Sequence, residues 1–491
     1  MKQTTKLSMH LVAVCFALVA TTSIPSLGRV GGWSIAGELA TSYFRQDHGV
    51  STEQAELPDV FDSKEGYVWR RALASGHSCP CVFGDRVYLT TFDQDEQTLA
   101  TVALNRKTGS IRWKRTAPTK SIEKFHQTGS PATCTPACDG ERLYVFFGSY
   151  GVLCYDLDGQ QLWSKPMGPF QDEFGANSSP ILVDDVLILN EDHDKDSFLT
   201  AIDKLTGETR WTTPRPGFTR SYSTPVVWDS GGTKQLVVAG ALQLAGYDLK
   251  SGEKRWWIDG LSRIVSPTPV VAGEMLFAAG WTPGGDASKR IAMEPFPEAT
   301  KKYDKNDDGK ISREELPEGP VLTRFFRIDL DQDSGLNEKE WKAHARVFER
   351  AQNQLLAVKS VGDAKGDLTS THVAWSHRRG LPSVPSPLVY EKVVYIVKNG
   401  GIVTSLGAAD GGVLKQGRAT SLGNYYASPV AGDGKVYLAS EPGVITVLKA
   451  GGDWDILSYH DFGERIMATP TIVDGEVYVR TDDALYRFEK K

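Results

Sequence analysis

The sequence predicts an all-β fold: an eight-bladed β-propeller that carries a small α-helical EF-hand insertion. A motif of a small hydroxyl residue or cysteine, a proline and an apolar strand recurs eight times in the 491-residue chain. Successive motif prolines lie 41 to 51 residues apart, except for one gap of 118 residues. A repeat of about 40 to 50 residues matches one four-stranded propeller blade, and the long gap indicates an insertion after the fifth repeat. The motif prolines are Pro80, Pro131, Pro180, Pro225, Pro269, Pro387, Pro429 and Pro470.

Each repeat carries the turns that four antiparallel strands need. Alternating apolar strands flank Gly or Asp-Gly turns, as hairpins require, and an outer strand follows that contains Trp113, Trp163, Trp211 or Trp256. Residues 68–73 resemble an outer strand that precedes the first full repeat, and the last repeat ends before an outer strand of its own. We therefore expect the N-terminal strand to complete the last blade, which closes the ring and removes exposed edges.

The turn before these tryptophans follows the pattern D-x-x-T-G-x-x-x-W, with small changes at residues 105–113 and 248–256 and none at 203–211. This pattern resembles the repeat of pyrroloquinoline-quinone (PQQ) type propellers over residues 68–285 and 352–491. That family includes quinone-dependent alcohol dehydrogenases and non-enzymatic relatives, such as the propeller subunit of the bacterial outer-membrane assembly machinery. Residues 44–61 similarly resemble the leader that precedes the propeller in secreted bacterial proteins of this kind. The resemblance implies the fold and leaves the function open.

The residues favour a binding or scaffold module over a quinone-dependent enzyme. The resemblance implies that a dehydrogenase would carry adjacent cysteines over the cofactor, an active-site calcium and an aspartate base, but Pro80 separates Cys79 from Cys81. One repeat is shortened and another has Lys415 in place of tryptophan, which argues against ring-wide cofactor geometry. We therefore expect no bound PQQ, and a periplasmic PQQ-dependent oxidoreductase is the alternative function. The sequence contains no nucleophile elbow, phosphate loop or zinc-protease motif.

The surplus residues define a predicted insertion over residues 286–351. Its first predicted loop has the sequence DKNDDGKISREE. A calcium-binding EF-hand loop needs oxygen ligands at positions 1, 3, 5, 7, 9 and 12, the last a bidentate glutamate, and a sharp turn at position 6 that glycine accommodates. Gly309 occupies position 6, and Ile311 occupies position 8, where paired loops join through a short β-contact. The predicted ligands are Asp304, Asn306, Asp308, the Lys310 carbonyl, Ser312 and Glu315.

A second motif, DLDQDSGLNEKE, begins 25 residues later. Ser334 stands at position 6, and a non-glycine residue in the left-handed conformation costs roughly 1 kcal/mol, so we expect the second loop to bind more weakly. Extracellular modules bind calcium with dissociation constants of about 10⁻⁴ to 10⁻³ M. Because calcium is often abundant outside the cytoplasm, we expect both loops to hold their ions constitutively, in a structural role. An acidic loop without metal is the alternative for each motif. The predicted ligands are Asp329, Asp331, Asp333, the Gly335 carbonyl, Asn337 and Glu340.

The N-terminus has the pattern of a secretory signal. Lys2 and Lys6 precede an apolar run over residues 7–20 that is too short to span a bilayer as a mature helix. The predicted signal covers residues 1–28, with the cleavage site left open between residues 20 and 36, and a leader follows over residues 37–67. No later segment has about 18 consecutive apolar residues, so we expect an exported, soluble protein of the periplasm or the extracellular space.

The charge balance excludes nucleic acid as a partner. The net charge is −6 and the isoelectric point is about 5.9, whereas phosphate binding requires a basic face. We expect the partner to be another protein or a cell-envelope polymer.

Several other residues are candidates for chemistry, and each has a more ordinary interpretation. The segment 190–198 gathers Asp192, His193, Asp194 and Asp196 in a predicted hairpin loop, where a solvated acidic turn is favoured over a metal site. His77 is expected to be a hydrogen-bonded structural residue near the channel mouth. Arg465 and Arg480 are expected on the propeller surface or in a pocket.

The cysteines fit an exported protein but do not define a pairing. Cys15 leaves with the signal, and five cysteines remain, so at least one thiol stays free or forms an intermolecular bridge. Small buried residues or one disulfide are favoured over a zinc site, because the ligand-like spacing of zinc sites is missing. The five are Cys79, Cys81, Cys134, Cys138 and Cys154.

Overall fold

The computed structural model describes residues 42–283, 285 and 292–490. Eight antiparallel sheets form the blades of a propeller, seven of them with four strands and one with a fifth strand added at its outer edge. The predicted all-β, eight-bladed propeller is therefore confirmed. The predicted signal, residues 1–28, and the start of the leader lie outside the described residues.

Each blade begins with an innermost strand and continues outward. The N-terminal strand is β1 (Trp69–Ala72). The first blade comprises β2 (Cys81–Phe83), β3 (Arg86–Asp93), β4 (Thr98–Asn105) and β5 (Ile111–Thr116), and the second β6 (Ala137–Cys138), β7 (Arg142–Phe147), β8 (Gly151–Asp156) and β9 (Gln161–Pro166). The third comprises β10 (Ile181–Val183), β11 (Val186–Glu191), β12 (Phe198–Asp203) and β13 (Thr209–Pro214), and the fourth β14 (Val226–Ser230), β15 (Thr233–Gly240), β16 (Gln243–Tyr247) and β17 (Lys254–Asp259).

The fifth blade differs because other elements interrupt it. It comprises β18 (Val270–Ala272), β19 (Met275–Gly280), β22 (Gln354–Lys359) and β24 (Val373–His377), while β23 (Gly366–Asp367) joins the fourth blade. The sixth blade comprises β25 (Leu388–Tyr390), β26 (Val393–Lys398), β27 (Ile402–Gly407) and β28 (Val413–Arg418). The seventh comprises β29 (Val430–Gly432), β30 (Lys435–Ala439), β31 (Val444–Lys449) and β32 (Asp455–Asp461), and the eighth β33 (Thr471–Val473), β34 (Glu476–Arg480), β35 (Ala484–Glu489) and β1.

The ring closes as the sequence predicts. Strand β1 pairs antiparallel with β35, with Trp69 opposite Arg487 and Ala72 opposite Ala484. The N-terminal strand thus supplies the outer strand that the last repeat lacks.

A ring of hydrogen bonds joins the innermost strands. In each blade, the residue before the motif proline donates its backbone N–H to the hydroxyl of the equivalent residue in the next blade, at 2.9–3.3 Å over seven successive links. In the eighth link, the backbone of Thr469 bonds to the Cys79 thiol. Because all eight residues are buried, these bonds satisfy groups that water does not reach. This hydroxyl ring consists of Cys79, Thr135, Ser179, Thr224, Thr268, Ser386, Ser428 and Thr469.

The hydroxyl ring corrects one position of the predicted repeat. In the second blade, Thr135 and Pro136 hold the place that the sequence assigned to Ser130 and Pro131. Pro131 lies in the preceding connection, before the innermost strand β6. Two pairs of a hydroxyl residue followed by proline occur within seven residues here, and only the pairing of the strands distinguishes them.

Tryptophans on the outer strands join each blade to the next. Five of them donate the indole N–H to a backbone carbonyl of the following blade at 2.9–3.2 Å. Each ring also covers a turn glycine with positive φ, and a Cβ on that glycine would lie 2.4–2.7 Å from the ring. Glycine is therefore required on both counts. The pairs are Trp69–Gly109, Trp113–Gly159, Trp163–Gly207, Trp211–Gly252 and Trp375–Gly411.

The other three junctions use different contacts. Trp256 donates to Gln235 of its own blade at 2.5 Å, because a long connection over residues 360–372 replaces the tight turn in the fifth blade. Lys415 stands in place of tryptophan, and its Nζ donates to the carbonyl of Asp453 in the seventh blade at 3.2 Å. Between the seventh and eighth blades, Phe61 of the leader packs on aromatic rings of both.

The leader is part of the propeller core. A short 3₁₀ helix, Gln46–Gly49, lies in a segment that runs along the innermost strands. Ser42 forms a β-bridge with Cys138 of the second blade. On the other side of the channel, Arg45 donates to the carbonyls of Pro387 and Pro429, both at 2.9 Å. The leader therefore ties the second blade to the sixth and seventh blades.

The helical insertion lies within the fifth blade, between β19 and β22, and not after that repeat as the sequence suggested. Its helices enclose a small core of their own. Together with a helical turn in the following connection, the helices are α1 (Phe296–Tyr303), α2 (Pro320–Thr323), α3 (Phe325–Ile328), α4 (Glu338–Arg350) and α5 (Thr369–His372), and the paired short strands are β20 (Ile311–Ser312) and β21 (Gly335–Leu336). In the described part of the chain, no helix is both long and apolar enough to cross a membrane.

Replacing Trp113 by phenylalanine should reduce the free energy of unfolding more than the same change at Trp228. Both side chains are buried, and both changes remove the same volume. Trp113 donates to the Leu157 carbonyl at 2.9 Å, whereas the Trp228 N–H has no partner among the described residues. A lost hydrogen bond costs about 1 kcal/mol, so urea unfolding should separate the two variants by about that amount. Equal losses would show that the bond between blades contributes nothing.

Candidate functional site

The channel of the propeller contains a cavity of about 450 Å³. All eight members of the hydroxyl ring line it. Phe44 of the leader, Phe174 and Trp281 add apolar surface, and Tyr222 and Arg263 add polar groups. A concave, mostly apolar space with a few converging polar groups is the usual form of a ligand site.

Three arginines and two acids meet at one side of this cavity. Glu173 accepts from Arg220 at 2.8 Å and lies 3.6 Å from Arg327. Arg220 also binds both carboxylate oxygens of Asp194, at 2.5 and 3.2 Å. Arg263 lines the cavity beside them, and no hydrogen bond or ion pair joins its side chain to another described residue. Burial, with Arg327 and Arg220 nearby, lowers the pKa of Arg263 to about 10.

Most of the acidic segment 190–198 is buried, so the prediction of a solvated turn is wrong except at Asp196, which is exposed. Asp192, His193 and Asp194 are each at most 5% exposed. Arg215 donates to the two oxygens of Asp192 at 2.7 and 2.8 Å, and Arg220 binds Asp194 in the same way. Both arginines come from the connection after β13, more than 20 residues away, and the local sequence gives no sign of them.

His193 lies between two buried carboxylates. Its Nε2 is 3.1 Å from Glu191, and its Nδ1 is 3.9 Å from Asp172. Burial alone would lower the pKa of His193, but these carboxylates raise it to about 10, so the ring is protonated at neutral pH. Burial also raises the pKa of neighbouring Glu123 to about 8. None of these four residues lines the cavity. They lie behind its wall, where Asp172 accepts a hydrogen bond from the lining residue Tyr222.

The other candidates divide between the cavity and the framework. His77 lines the cavity, and burial together with Arg480 and Arg465 lowers its pKa to about 3. Arg480 is buried and donates to the carbonyls of Ser78 at 2.9 Å and Thr90 at 2.7 Å, which is a structural role. Arg465 is half-exposed.

The two predicted calcium loops have the same backbone form. Gly309 and Ser334, both at position 6, have φ of 79° and 71°. At position 12, Glu315 accepts backbone N–H groups from positions 2 and 9 of its loop at 2.9 and 2.8 Å, and Glu340 does the same at 2.7 and 3.1 Å. The loops lie back to back, because Ile311 pairs with Leu336.

The carboxylates at the front of the second loop converge, and oxygens of Asp329, Asp331 and Asp333 lie within 4.8 Å of one another. In the first loop, Asp304 accepts from the Gly309 N–H at 3.0 Å through one oxygen, and its other oxygen is buried without a hydrogen-bond partner among the described residues. Ca²⁺ requires several oxygens around one point, and among the described residues the second loop comes nearer to that arrangement.

The insertion rests on the propeller next to the cavity. Gln171 donates to the carbonyl of Leu330, which lies between the first two carboxylates of the second loop. Arg346 of α4 donates to the carbonyl of Gly217 at 3.4 Å. Arg327 also lies beside Glu173. These contacts place α3 and the second loop against the connections that lead into the third and fourth blades.

The residues of the cavity do not fit PQQ. Cys79 belongs to the hydroxyl ring, and the Cys81 thiol donates to the Ser42 carbonyl at 3.5 Å, so no adjacent cysteine pair covers the channel. Among the described residues that line the cavity, Glu173 is the sole carboxylate, and two arginines already occupy it. The described lining residues therefore include no carboxylate free of ion pairs that could bind a cofactor calcium. The five cysteines of the described chain are all free and buried.

The eight blades, their tryptophan contacts and the closing N-terminal strand define a β-propeller of PQQ-like repeats. The sequence matches the model of the family described as outer membrane protein assembly factor BamB over residues 59–279 and 343–491. The chain belongs to that family. The match stops before the helical insertion and resumes inside α4, so most of the insertion lies outside it.

Solved structures show the same fold at low sequence identity. The crystal structure of BamB from Moraxella catarrhalis is 13% identical, with 86% of this chain and 98% of that chain covered and a TM-score of 0.52. The computationally designed Ika8 protein is 9% identical, with 87% and 100% covered and a TM-score of 0.50. No curated protein matches the sequence.

Replacing Asp192 by asparagine should reduce the free energy of unfolding by about 3–5 kcal/mol, because Arg215 would remain buried without its counter-charge. Adding Arg215→Met should recover part of that loss, which a double-mutant cycle in urea would measure. Lys342→Met, which breaks an exposed pair with Glu338, is the control and should change stability little. Strictly additive losses at Asp192 and Arg215 would refute the coupling.

Proposed function

We propose that this protein is an exported β-propeller that acts as a binding or scaffold module and holds two calcium ions in its helical insertion. The observation that carries the calcium proposal is the repeated loop geometry: both loops have the same backbone form, and in the second loop three carboxylates converge. The observation that carries the scaffold proposal is the propeller itself, whose family description names an assembly factor.

Electrostatics supports a cation in the second loop. Asp329, Asp331 and Asp333 are held together by backbone N–H groups, and each carboxylate raises the cost of ionising the others. Lys310 of the first loop pairs with Asp333, but that pair is partly exposed and leaves the other two carboxylates uncompensated. Asn337 and Glu340 also form the capping box of α4, so an ion in this loop would stabilise the start of that helix.

The full-length protein should bind two calcium ions, the second loop more weakly because of Ser334. Glu315→Gln should abolish binding at the first loop and Glu340→Gln at the second, since each removes the bidentate ligand. Isothermal titration after chelator treatment would count the ions, and circular dichroism would report any gain of helix. Glu318→Gln, an exposed change outside the loops, is the control. A full-length protein that takes up no calcium would refute this part of the proposal.

An exposed apolar surface favours a protein partner over a charged polymer. The first and second blades each expose one large apolar residue on the outer strand, Ile111 and Leu162. The adjacent outer strands β28 and β32 expose five, between 41% and 59%. Contiguous apolar patches of this kind mark interaction sites. This blade 6–7 surface consists of Val413, Leu414, Ile456, Leu457 and Tyr459.

The double variant Leu414→Glu, Leu457→Glu should lose a protein partner that the wild-type protein captures from a cell-envelope extract. Leu205→Glu, at a residue that is 52% exposed in the third blade, should retain it. Because the blade 6–7 surface lies apart from the insertion, capture should persist after chelation of calcium. Equal recovery of the same protein by the double variant would rule out this surface as the interface.

A further inference from the structure

The cavity wall carries one arginine that makes no ion pair. The side chain of Arg263 is half-buried, and no hydrogen bond or ion pair joins it to another described residue. Arg327, Arg220 and Arg324 lie near enough to repel it, whereas Glu173 attracts it but already pairs with Arg220 and Arg327. Removing a charge from water without a partner is costly, so this arrangement requires a compensating interaction.

Positive charges outnumber negative charges around Arg263. Arg220, Arg324 and Arg327 lie near it, and the carboxylates of this group, Glu173 and Asp194, are both paired with Arg220. The side chain of His344 is buried nearby, and its Nε2 has no hydrogen-bond partner among the described residues. Burial and the surrounding arginines lower the pKa of His344 to about 3, so it adds a neutral polar group and no charge. A negatively charged ligand would reduce this excess.

The space in front of Arg263 fits a ligand with an apolar body. The cavity of about 450 Å³ is within the range of small-molecule sites. Phe44, Phe174 and Trp281 supply apolar and aromatic surface, while the hydroxyl ring uses its oxygens to bind backbone N–H groups between blades. A planar guanidinium can bind a carboxylate through two parallel hydrogen bonds. The ligand class that fits these features is a hydrophobic monocarboxylate, which carries one negative charge on an apolar body.

We propose that the channel cavity binds the carboxylate of a ligand with an apolar or aromatic body, with Arg263 as the counter-charge and Arg327 beside it. The ligand is a free acid or the C-terminus of a peptide, which present the same chemical group. Arg327 belongs to the insertion, whereas Arg263 and the aromatic lining residues lie outside it, so calcium is kept present when the site is tested. Failure of the carboxylate site leaves the calcium loops and the blade 6–7 surface untouched, and failure of the blade 6–7 surface leaves the carboxylate site untouched.

The test uses the full-length protein with calcium present throughout. N-acetyl-L-phenylalanine is titrated by calorimetry and by tryptophan fluorescence, which reports on Trp281, and N-acetyl-L-phenylalaninamide is the uncharged control. The acid should bind and the amide should not, and higher salt should weaken the binding of the acid. A tripeptide that ends in phenylalanine, with its C-terminus free or amidated, distinguishes the two sources: tighter binding of the free tripeptide indicates a peptide ligand, and equal or weaker binding indicates a free acid.

Arg263→Gln should weaken binding of the acid by about tenfold or more, because a charge-assisted hydrogen bond is lost. The same variant without ligand should melt at a higher temperature than wild type, since the repulsion from Arg220 and Arg327 is removed. Arg112→Gln, on the outer strand of the first blade, is the control and should change neither measurement. Equal binding of acid and amide, no binding of either probe up to about 10 mM, or unchanged affinity in Arg263→Gln would each overturn the proposal.

Discussion

The structure depends on contacts between neighbouring blades, because each four-stranded sheet alone has too little buried surface to stand. Two sets of hydrogen bonds make these contacts, one near the propeller axis and one at the outer edge. Near the axis, the hydroxyl ring links each innermost strand to the next. At the outside, tryptophans lie on the turn glycines of the following blade. Two short motifs mark the ends of each repeat: a hydroxyl residue followed by proline, and a Thr-Gly turn followed by tryptophan. Both motifs therefore serve contacts between blades.

The sequence predicted the features that depend on local chemistry and strict periodicity. The number of blades, the closing strand at residues 68–73 and the two loop motifs all follow from spacing. Errors arose where residues far apart in the chain meet. Pro131 fits the motif as well as Pro136, and strand pairing alone separates them. Asp192 and Asp194 look like a solvated turn until Arg215 and Arg220 are placed beside them.

The central cavity could not be predicted from the sequence for the same reason. Its wall combines Phe44 of the leader, the hydroxyl ring from eight blades and Arg327 of the insertion, which no window of sequence contains together. Arg263 lies in a connection, and the sequence around it does not mark it as a binding residue. It stands out in the structure because most of its charged neighbours are also cationic. The two predicted calcium loops are the opposite case, since all proposed ligands of one loop lie within twelve residues.

The closing strand has a consequence for the order in which the molecule forms. Trp69 and Arg487 pair across more than 400 residues, whereas most other strand pairs join neighbours in the chain and form hairpins early. Blades can therefore assemble one after another as the polypeptide emerges, yet the last sheet keeps an open edge until both ends have arrived. Until then, that edge is available to chaperones, to another copy of the chain or to aggregation. The time between the first blade and the last is the interval in which this protein most needs protection.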